Sequence, residues 1–185
     1  MTISSGQTAA RVRLRHRAFR TLLCALAAPG TPAEAPFDPA EANGDSALAL
    51  FVEAVYDERT PAWSDASIRL PLPNAVALEE AHVLAVRGAL EPGVIDAATR
   101  GHAESPEGGA TIFVVAVDGT PEECVTLEGP GLDGPRGATL PLSREAIAAR
   151  ARACAEFPTG IDIVFIDPRG TIRALPRTTR VGIGG

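Results

Sequence analysis

Lysine is absent from this sequence, and each of its 17 basic residues other than histidine is an arginine. A Schiff base with a carbonyl substrate or with pyridoxal phosphate needs a lysine amine. A phosphate-binding loop of the Walker type also requires its lysine. The sequence therefore excludes both chemistries for this chain by itself, and we predict that it carries no cofactor.

Other common classes of site also lack their sequence patterns. The three cysteines are widely spaced, with no CxxC motif, at Cys24, Cys124 and Cys154. This arrangement favours neither a disulfide framework nor a zinc site, and free thiols are typical of a reducing compartment. The three histidines form no HxH or HExxH pattern, and there is no GxSxG motif. We predict a cytoplasmic protein with no metal site and no catalytic residue of its own.

Length and charge narrow the class of protein further. The 185 residues, 45% of them apolar, are enough for one globular domain with a core. We predict a single domain over residues 1–185, with residues 1–9 disordered. The formal net charge of −6 is unfavourable for general nucleic-acid binding, which depends on Lys and Arg contacts to phosphates. No apolar run approaches the length of a membrane span.

The N-terminal part of the chain is unusually basic. Residues 10–28 have the apolar spacing of an amphipathic helix that ends at Pro29-Gly30, where Gly30 is available for a left-handed backbone. Basic residues followed by a short apolar run are also typical of a signal peptide, which would make this an exported binding protein. The apolar positions continue back into the charged region, and this favours the helix. Its predicted core-facing residues are Phe19, Leu22, Leu23 and Leu26.

Three arginines of this helix form a candidate binding face. Arg13, Arg17 and Arg20 follow one another at spacings of four and three, so they line one side of a helix. Such a face could attract a highly charged nucleotide or an acidic partner. The alternative interpretation is a solvated helix face without a ligand.

Apolar, β-branched runs predict a sheet. The strongest is 111–117 (TIFVVAV), as expected of a strand covered on both faces. The sequence Asp167-Pro168-Arg169-Gly170 is typical of a type I turn and predicts a hairpin between the last two strands. Further strands are predicted at 62–63, 81–87, 124–127, 161–166 and 171–175.

Helices are predicted between these strands. Asp45 or Ser46 could cap a helix to about Tyr56, and Ser143 can cap a helix to about Glu156. A short helix is predicted within residues 90–100. Together the elements indicate the α/β class, as a single-domain, layered α/β/α arrangement with a mixed sheet.

Two short motifs bear on ligand binding. Arg177-Thr178-Thr179 offers a planar guanidinium and two hydroxyl donors after a predicted strand, which suits a polyanion. The alternatives are an arginine that holds a loop and an arginine that contacts another subunit. Gly108-Gly109 precedes a strand rather than a helix, so a closely packed turn is favoured over a dinucleotide site.

Four motifs occur in order along the chain. They are His16-Arg17-Ala18-Phe19-Arg20 leading to Pro29-Gly30, Pro106-Glu107-Gly108-Gly109-Ala110-Thr111, Leu127-Glu128-Gly129-Pro130-Gly131, and Phe157-Pro158-Thr159-Gly160-Ile161-Asp162 followed by Leu175-Pro176-Arg177-Thr178-Thr179. Together these motifs resemble those of the PhnH family of the bacterial carbon–phosphorus lyase system. The stretch from about 57 to 105 matches the family least and looks shortened relative to it.

The resemblance implies a fold akin to that of pyridoxal-phosphate-dependent transferases, but without the cofactor. It implies a homodimer and assembly with PhnG, PhnI and PhnJ. It also implies an accessory role in a reaction in which a phosphonate displaces adenine from ATP, giving a ribose 1-phosphonate 5-triphosphate. ATP or the phosphonate could bind at a site shared with these partners. The alternative function is a stand-alone, arginine-based nucleotide- or phosphate-binding protein.

Overall fold

The computed structural model describes residues 5–36, 43–57, 59–70 and 72–184, and shows a mixed α/β fold. Its helices are α1 (Ser5–Ala27), α2 (Gly44–Val55), α3 (Pro92–Ala97) and α4 (Arg144–Ala153). Its strands are β1 (Ala62–Ser64), β2 (Val83–Arg87), β3 (Arg100–His102), β4 (Ser105–Gly109), β5 (Thr111–Val115), β6 (Glu123–Glu128), β7 (Arg136–Leu140), β8 (Asp162–Ile166), β9 (Ile172–Leu175) and β10 (Arg180–Ile183).

The main sheet has five strands in the order β1-β2-β5-β8-β9. The first four are parallel, and β9 pairs antiparallel with β8, which confirms the predicted mixed sheet and terminal hairpin. In the central register, Leu84 lies beside Ile112, and Ile112 lies beside Ile163. These strands are apolar on both faces because both faces of the sheet are covered.

Alternate residues of each central strand enter different cores. Phe113 and Val164 pack with α1 and α2 on one face. Ile112 and Ile163 pack on the other face, where α4 is joined by strands β6 and β7. Successive side chains of a strand point to opposite faces of the sheet, and this produces the division. One covering layer therefore contains strands as well as helices, which the sequence did not predict.

Two small antiparallel sheets complete the fold, one with the order β10-β6-β7 and one formed by β3 and β4. The prediction found β6 but assigned β7 to a loop, which is wrong, and it missed β3, β4 and β10. These strands are short and mostly exposed, so their apolar patterns are weak. Their pairing partners, rather than their own composition, define them.

Helix α1 packs through a different stripe from the predicted one. Leu22 is buried and Leu26 is half-buried as expected, but Phe19 and Leu23 are exposed. The core-facing stripe instead runs through Ala18 and Ala25, because small residues let the helix approach the sheet closely. The helix begins at Ser5 and so includes residues 5–9, for which we predicted disorder; residues 1–4 lie outside the described residues.

The helix ends test the capping predictions. Asn43, rather than Asp45 or Ser46, caps α2, since its side chain accepts a hydrogen bond from the Ser46 N–H at 2.9 Å. Ser143 caps α4 as predicted. Gly30 has φ +72°, which confirms the left-handed turn after α1. Within the described part of the chain, no helix is long and apolar enough to cross a membrane.

Candidate functional site

A cavity of about 570 Å³ lies between the C-terminal half of α4 and the segment that follows β9. Among the described residues that line it, three are arginines and none carries a carboxylate, although the chain as a whole is acidic. The lining side chains that matter for its chemistry are Arg150, Cys154, Arg177, Thr178, Thr179 and Arg180. The predicted motif at 177–179 therefore forms one wall of this cavity.

The wall is a tight turn between two sheets. Strand β9 ends at Leu175, the Thr179 N–H donates to the Pro176 carbonyl at 2.9 Å, and β10 then pairs with β6. We expected a ligand site here because Arg177 follows a strand end. Since β9 is antiparallel to its neighbour, this turn lies instead at the amino edge of the parallel strands, close to Asp162 at the start of β8.

Arg177 is held by a network that joins three parts of the chain. Its N–H donates to Asp162 Oδ1 at 2.7 Å, and its Nη2 donates to Asp162 Oδ2 at 2.6 Å. Its Nη1 donates to the Pro106 carbonyl at 2.5 Å. The two paired side chains are only 15% and 19% exposed. This geometry matches the interpretation of an arginine that holds a loop, although the side chain also borders the cavity.

The glycines near Arg177 are required by close packing. A side chain at Gly109 would overlap the Gly160 carbonyl and would lie 2.7 Å from Arg177 Nη1. Gly160 has φ +145°, and a side chain there would lie 3.1 Å from both Cys154 Sγ and the Arg177 Cβ. The close packing predicted at Gly108-Gly109 is confirmed, at the end of a strand rather than in a turn. These glycines allow β4, the loop after α4 and Arg177 to meet.

Arg150 is a charged residue that the sequence analysis missed. Its side chain projects from α4 and is only 3% exposed. Its Nη1 donates to the Thr179 carbonyl at 3.0 Å and its Nη2 donates to the Pro176 carbonyl at 2.5 Å, while its Nε has no partner. The available signal was spacing: Arg150 lies four residues after Ala146 and three before Ala153, which are both buried on α4.

Burial lowers the pKa of the Arg150 guanidinium from its ordinary value, while the neighbouring Cys154 and Asp162 act to raise it. An arginine remains charged even so. Asp162 is already engaged by Arg177. Arg150 is therefore a buried cation whose direct partners are two backbone carbonyls.

The remaining polar residues of the cavity differ in exposure. Thr179 is only 2% exposed and its Oγ1 has no hydrogen-bond partner, whereas Thr178 is exposed. Arg180 is 80% exposed and contacts Glu128 across 3.4 Å. The Cys154 thiol is half-buried and donates to the Ile161 carbonyl at 3.6 Å. The cavity thus combines a buried charge with exposed donors at its rim.

The arginines of α1 do not contribute to this cavity. Arg13, Arg17 and Arg20 are exposed on a helix that covers the opposite face of the main sheet. Two neighbouring arginines bind α2, since Arg11 forms an ion pair with Glu53 and Arg15 Nε donates to the Glu53 carbonyl at 3.0 Å. The structure therefore separates the two groups of predicted site residues.

A second cavity, of about 460 Å³, lies at the carboxyl ends of β5 and β8, where parallel sheets often bind ligands. Asp118, Glu122 and Asp167 line it together with Arg173. In the described ranges, no three metal-ligating side chains come together here or elsewhere. Carboxylates predominate in this lining, so the arginine-lined cavity is the better candidate for an anionic ligand.

Comparison with protein families gives a match over nearly the whole chain. The family described as bacterial phosphonate metabolism protein (PhnH) matches residues 7–182, which is nearly the whole chain. A search among curated proteins gave no match. The family match includes most of α1 and the whole arginine-lined cavity, and it implies a role in phosphonate metabolism. The chain belongs to the PhnH family.

Proposed function

We propose that this protein is an accessory subunit of the carbon–phosphorus lyase machinery and supports the displacement of adenine from ATP by a phosphonate. The observation that carries the proposal is the family match over residues 7–182. In this role the chain has no catalytic activity by itself and helps to form a site shared with PhnG, PhnI and PhnJ. The proposal includes a cytoplasmic homodimer, with a fold akin to that of pyridoxal-phosphate-dependent transferases but without the cofactor.

Two features of the structure support an accessory role. The arginine-lined cavity suits the phosphorus oxyanions that this reaction handles, because guanidinium groups match the geometry of phosphate oxygens. Helix α1 exposes apolar side chains, Phe19 and Leu23, beside a row of arginines. Exposed apolar side chains rimmed by charge are typical of protein contact surfaces. The two features lie on opposite sides of the main sheet, so ligand and partner could bind together.

The test is release of adenine from ATP and methylphosphonate by the partner subunits, with and without this chain. We expect release to depend on the chain, and the isolated chain to release none. A reaction without methylphosphonate measures the background. Equal release in the absence of the chain would refute the accessory role, and turnover by the purified chain alone would refute the non-catalytic one.

The arginines of α1 allow a charge-matched test of partner binding. Glutamine at Arg13, Arg17 and Arg20 removes three positive charges from one helix face, and we expect weaker co-purification with the partner subunits. Equal co-purification of this variant and the control would place the contact elsewhere. The control carries glutamine at three other exposed arginines: Arg59, Arg69 and Arg169.

A second candidate function is a stand-alone nucleotide- or phosphate-binding protein. The arginine-lined cavity favours it, because the cavity is present in the single chain. Calorimetric titration of ATP into the isolated protein tests this function directly. If the isolated chain binds ATP tightly, and adenine release by the partner subunits is the same with and without it, the stand-alone function is favoured over the accessory role.

A further inference from the structure

We infer that the cavity between α4 and the turn at 176–179 binds a dianionic phosphorus oxyanion, with Arg150 supplying the buried charge and Arg180 and Thr178 supplying contacts at the rim. The inference deepens the proposed function, on which it rests for the choice of phosphate or phosphonate over other dianions. It shifts the centre of the site from Arg177 to Arg150, a residue outside the predicted motif.

The first step in the argument is the charge of Arg150. A buried ion is normally paired, because removal of a charge from water costs several kcal/mol that backbone carbonyls only partly offset. Arg150 is 3% exposed, donates only to the carbonyls of Pro176 and Thr179, and keeps Nε without a partner. Its side chain borders an open cavity. An anion in that cavity would supply the missing counter-charge.

The second step is the count of charges. Three guanidinium groups line the cavity, and the negative charge of Asp162 balances the positive charge of Arg177. The contact between Arg180 and Glu128 is long and exposed, and such pairs are weak. About two positive charges therefore remain for a ligand. A phosphate monoester carries about 1.5 to 2 negative charges at neutral pH, since its second pKa is about 6. An alkylphosphonate has a higher second pKa and is a mixture of monoanion and dianion at neutral pH, and two guanidinium groups would favour its dianion.

The third step is the set of donors. Arg180 and Thr178 are exposed at the rim, and both can donate to an oxygen atom. Thr179 Oγ1 is buried without a partner in the same lining. A tetrahedral group with three free oxygens can use more of these donors than a carboxylate can. The arrangement therefore favours a phosphorus oxyanion over a carboxylate ligand.

Cys154 provides a local reporter of occupancy. Its half-buried thiol lines the cavity, whereas Cys24 and Cys124 are exposed and do not line it. A ligand in the cavity should slow alkylation of Cys154 and leave the other two rates unchanged. Iodoacetamide suits this test because it is uncharged, so added salt changes its access little. Peptide mapping by mass spectrometry reads the three rates in one sample.

The experiment measures Cys154 alkylation in the isolated chain against increasing phosphate, methylphosphonate, ATP or acetate at constant ionic strength. We expect saturable protection by the phosphorus compounds and none by acetate. Protection by ATP alone would assign the site to a nucleotide phosphate, and protection by methylphosphonate but not ATP would assign it to the phosphonate. Equal protection by acetate, or no protection by any of the four, would overturn the inference.

Replacement of single arginines by glutamine tests which positive charges bind the ligand. Arg180→Gln should weaken protection roughly threefold to tenfold, the effect expected for loss of a charge contact at an exposed rim. Arg150→Gln should weaken protection of Cys154 at least as much. If the Arg150 variant does not fold, the result for the exposed Arg180 tests the inference by itself. Arg152→Gln is the matched control, since Arg152 lies on the same helix, pairs with Asp96 and does not line the cavity. Equal losses in the Arg180 and Arg152 variants would overturn the inference.

The binding test and the test of the proposed function fail separately. Alkylation is measured on the isolated chain, whereas the accessory role is measured by adenine release with partner subunits. Protection without any effect on adenine release would retain the site and reject the accessory role. Release that depends on the chain, without protection, would retain the accessory role and reject the site.

Discussion

Replacement of Arg177 by methionine tests whether this side chain holds the structure together. Methionine keeps much of the apolar volume of the arginine stem but removes every donor. The change leaves the Asp162 carboxylate, only 19% exposed, without its guanidinium partner, and leaves the Pro106 carbonyl without its donor. Loss of one partner from a buried ion pair costs about 3–5 kcal/mol, and the residual exposure of this pair favours the lower end. We expect the free energy of unfolding to fall by about 3 kcal/mol.

The assay is urea denaturation at neutral pH, with Arg180→Met as the matched control. Arg180 pairs with Glu128 at the surface, where an ion pair contributes about 0–1 kcal/mol. The double variant Arg177→Met with Asp162→Asn should lose less stability than the sum of the two single variants, because the second change removes the unpaired charge. Equal, small losses for Arg177→Met and Arg180→Met would refute the structural role.

This result also affects how ligand binding is tested. If Arg177 supports the fold, then loss of ATP binding in an Arg177→Ala variant would not show that Arg177 touches ATP. The exposed Arg180 avoids this difficulty, because its removal should leave the unfolding free energy almost unchanged. Binding experiments on this cavity should therefore begin with Arg180.

Two further predictions concern backbone packing and capping. Gly109→Ala should destabilise the protein by more than about 2 kcal/mol, since the new methyl group would overlap the Gly160 carbonyl. Gly93→Ala is the control, because nothing lies within 4 Å of that position. It should leave the free energy of unfolding unchanged or raise it slightly in the same urea assay. Asn43→Ala should cost about 1 kcal/mol through loss of the α2 cap, whereas Ser46→Ala should cost little. Equal effects of the two glycine variants would contradict the close packing at Gly109. Equal effects of Asn43→Ala and Ser46→Ala would contradict the cap by Asn43.

Much of the main sheet could be predicted from the sequence. The strand predicted at 111–117 corresponds to β5, which is two residues shorter, and the hairpin of β8 and β9 was also predicted. Continuous β-branched residues and a proline–glycine turn are local signals. The caps show the limit of such signals. Ser143 was identified, but at α2 the prediction named Asp45 or Ser46, whereas the cap is Asn43; only backbone geometry selects among such neighbouring polar residues.

The candidate site could be predicted only in part. Thr178 and Thr179 were expected near a ligand site and do line a cavity, and Arg177 borders it while donating to Asp162. Arg150 was missed, because its partners at Pro176 and Thr179 lie more than 25 residues away in the chain. No local pattern reports a partner at that distance.

The sequence alone determined the class of fold and the absence of a lysine side chain. Without lysine, the chain has no side-chain amine for a Schiff base, and its buried strands require cover on both faces. Tertiary structure decided which arginines are exposed and which are held inside. Charge is a property of a residue, but burial and partners depend on contacts between distant segments. Arg13 and Arg150 carry the same charged group, yet of the two only Arg150 lines the arginine-lined cavity, because contacts between distant segments place it there.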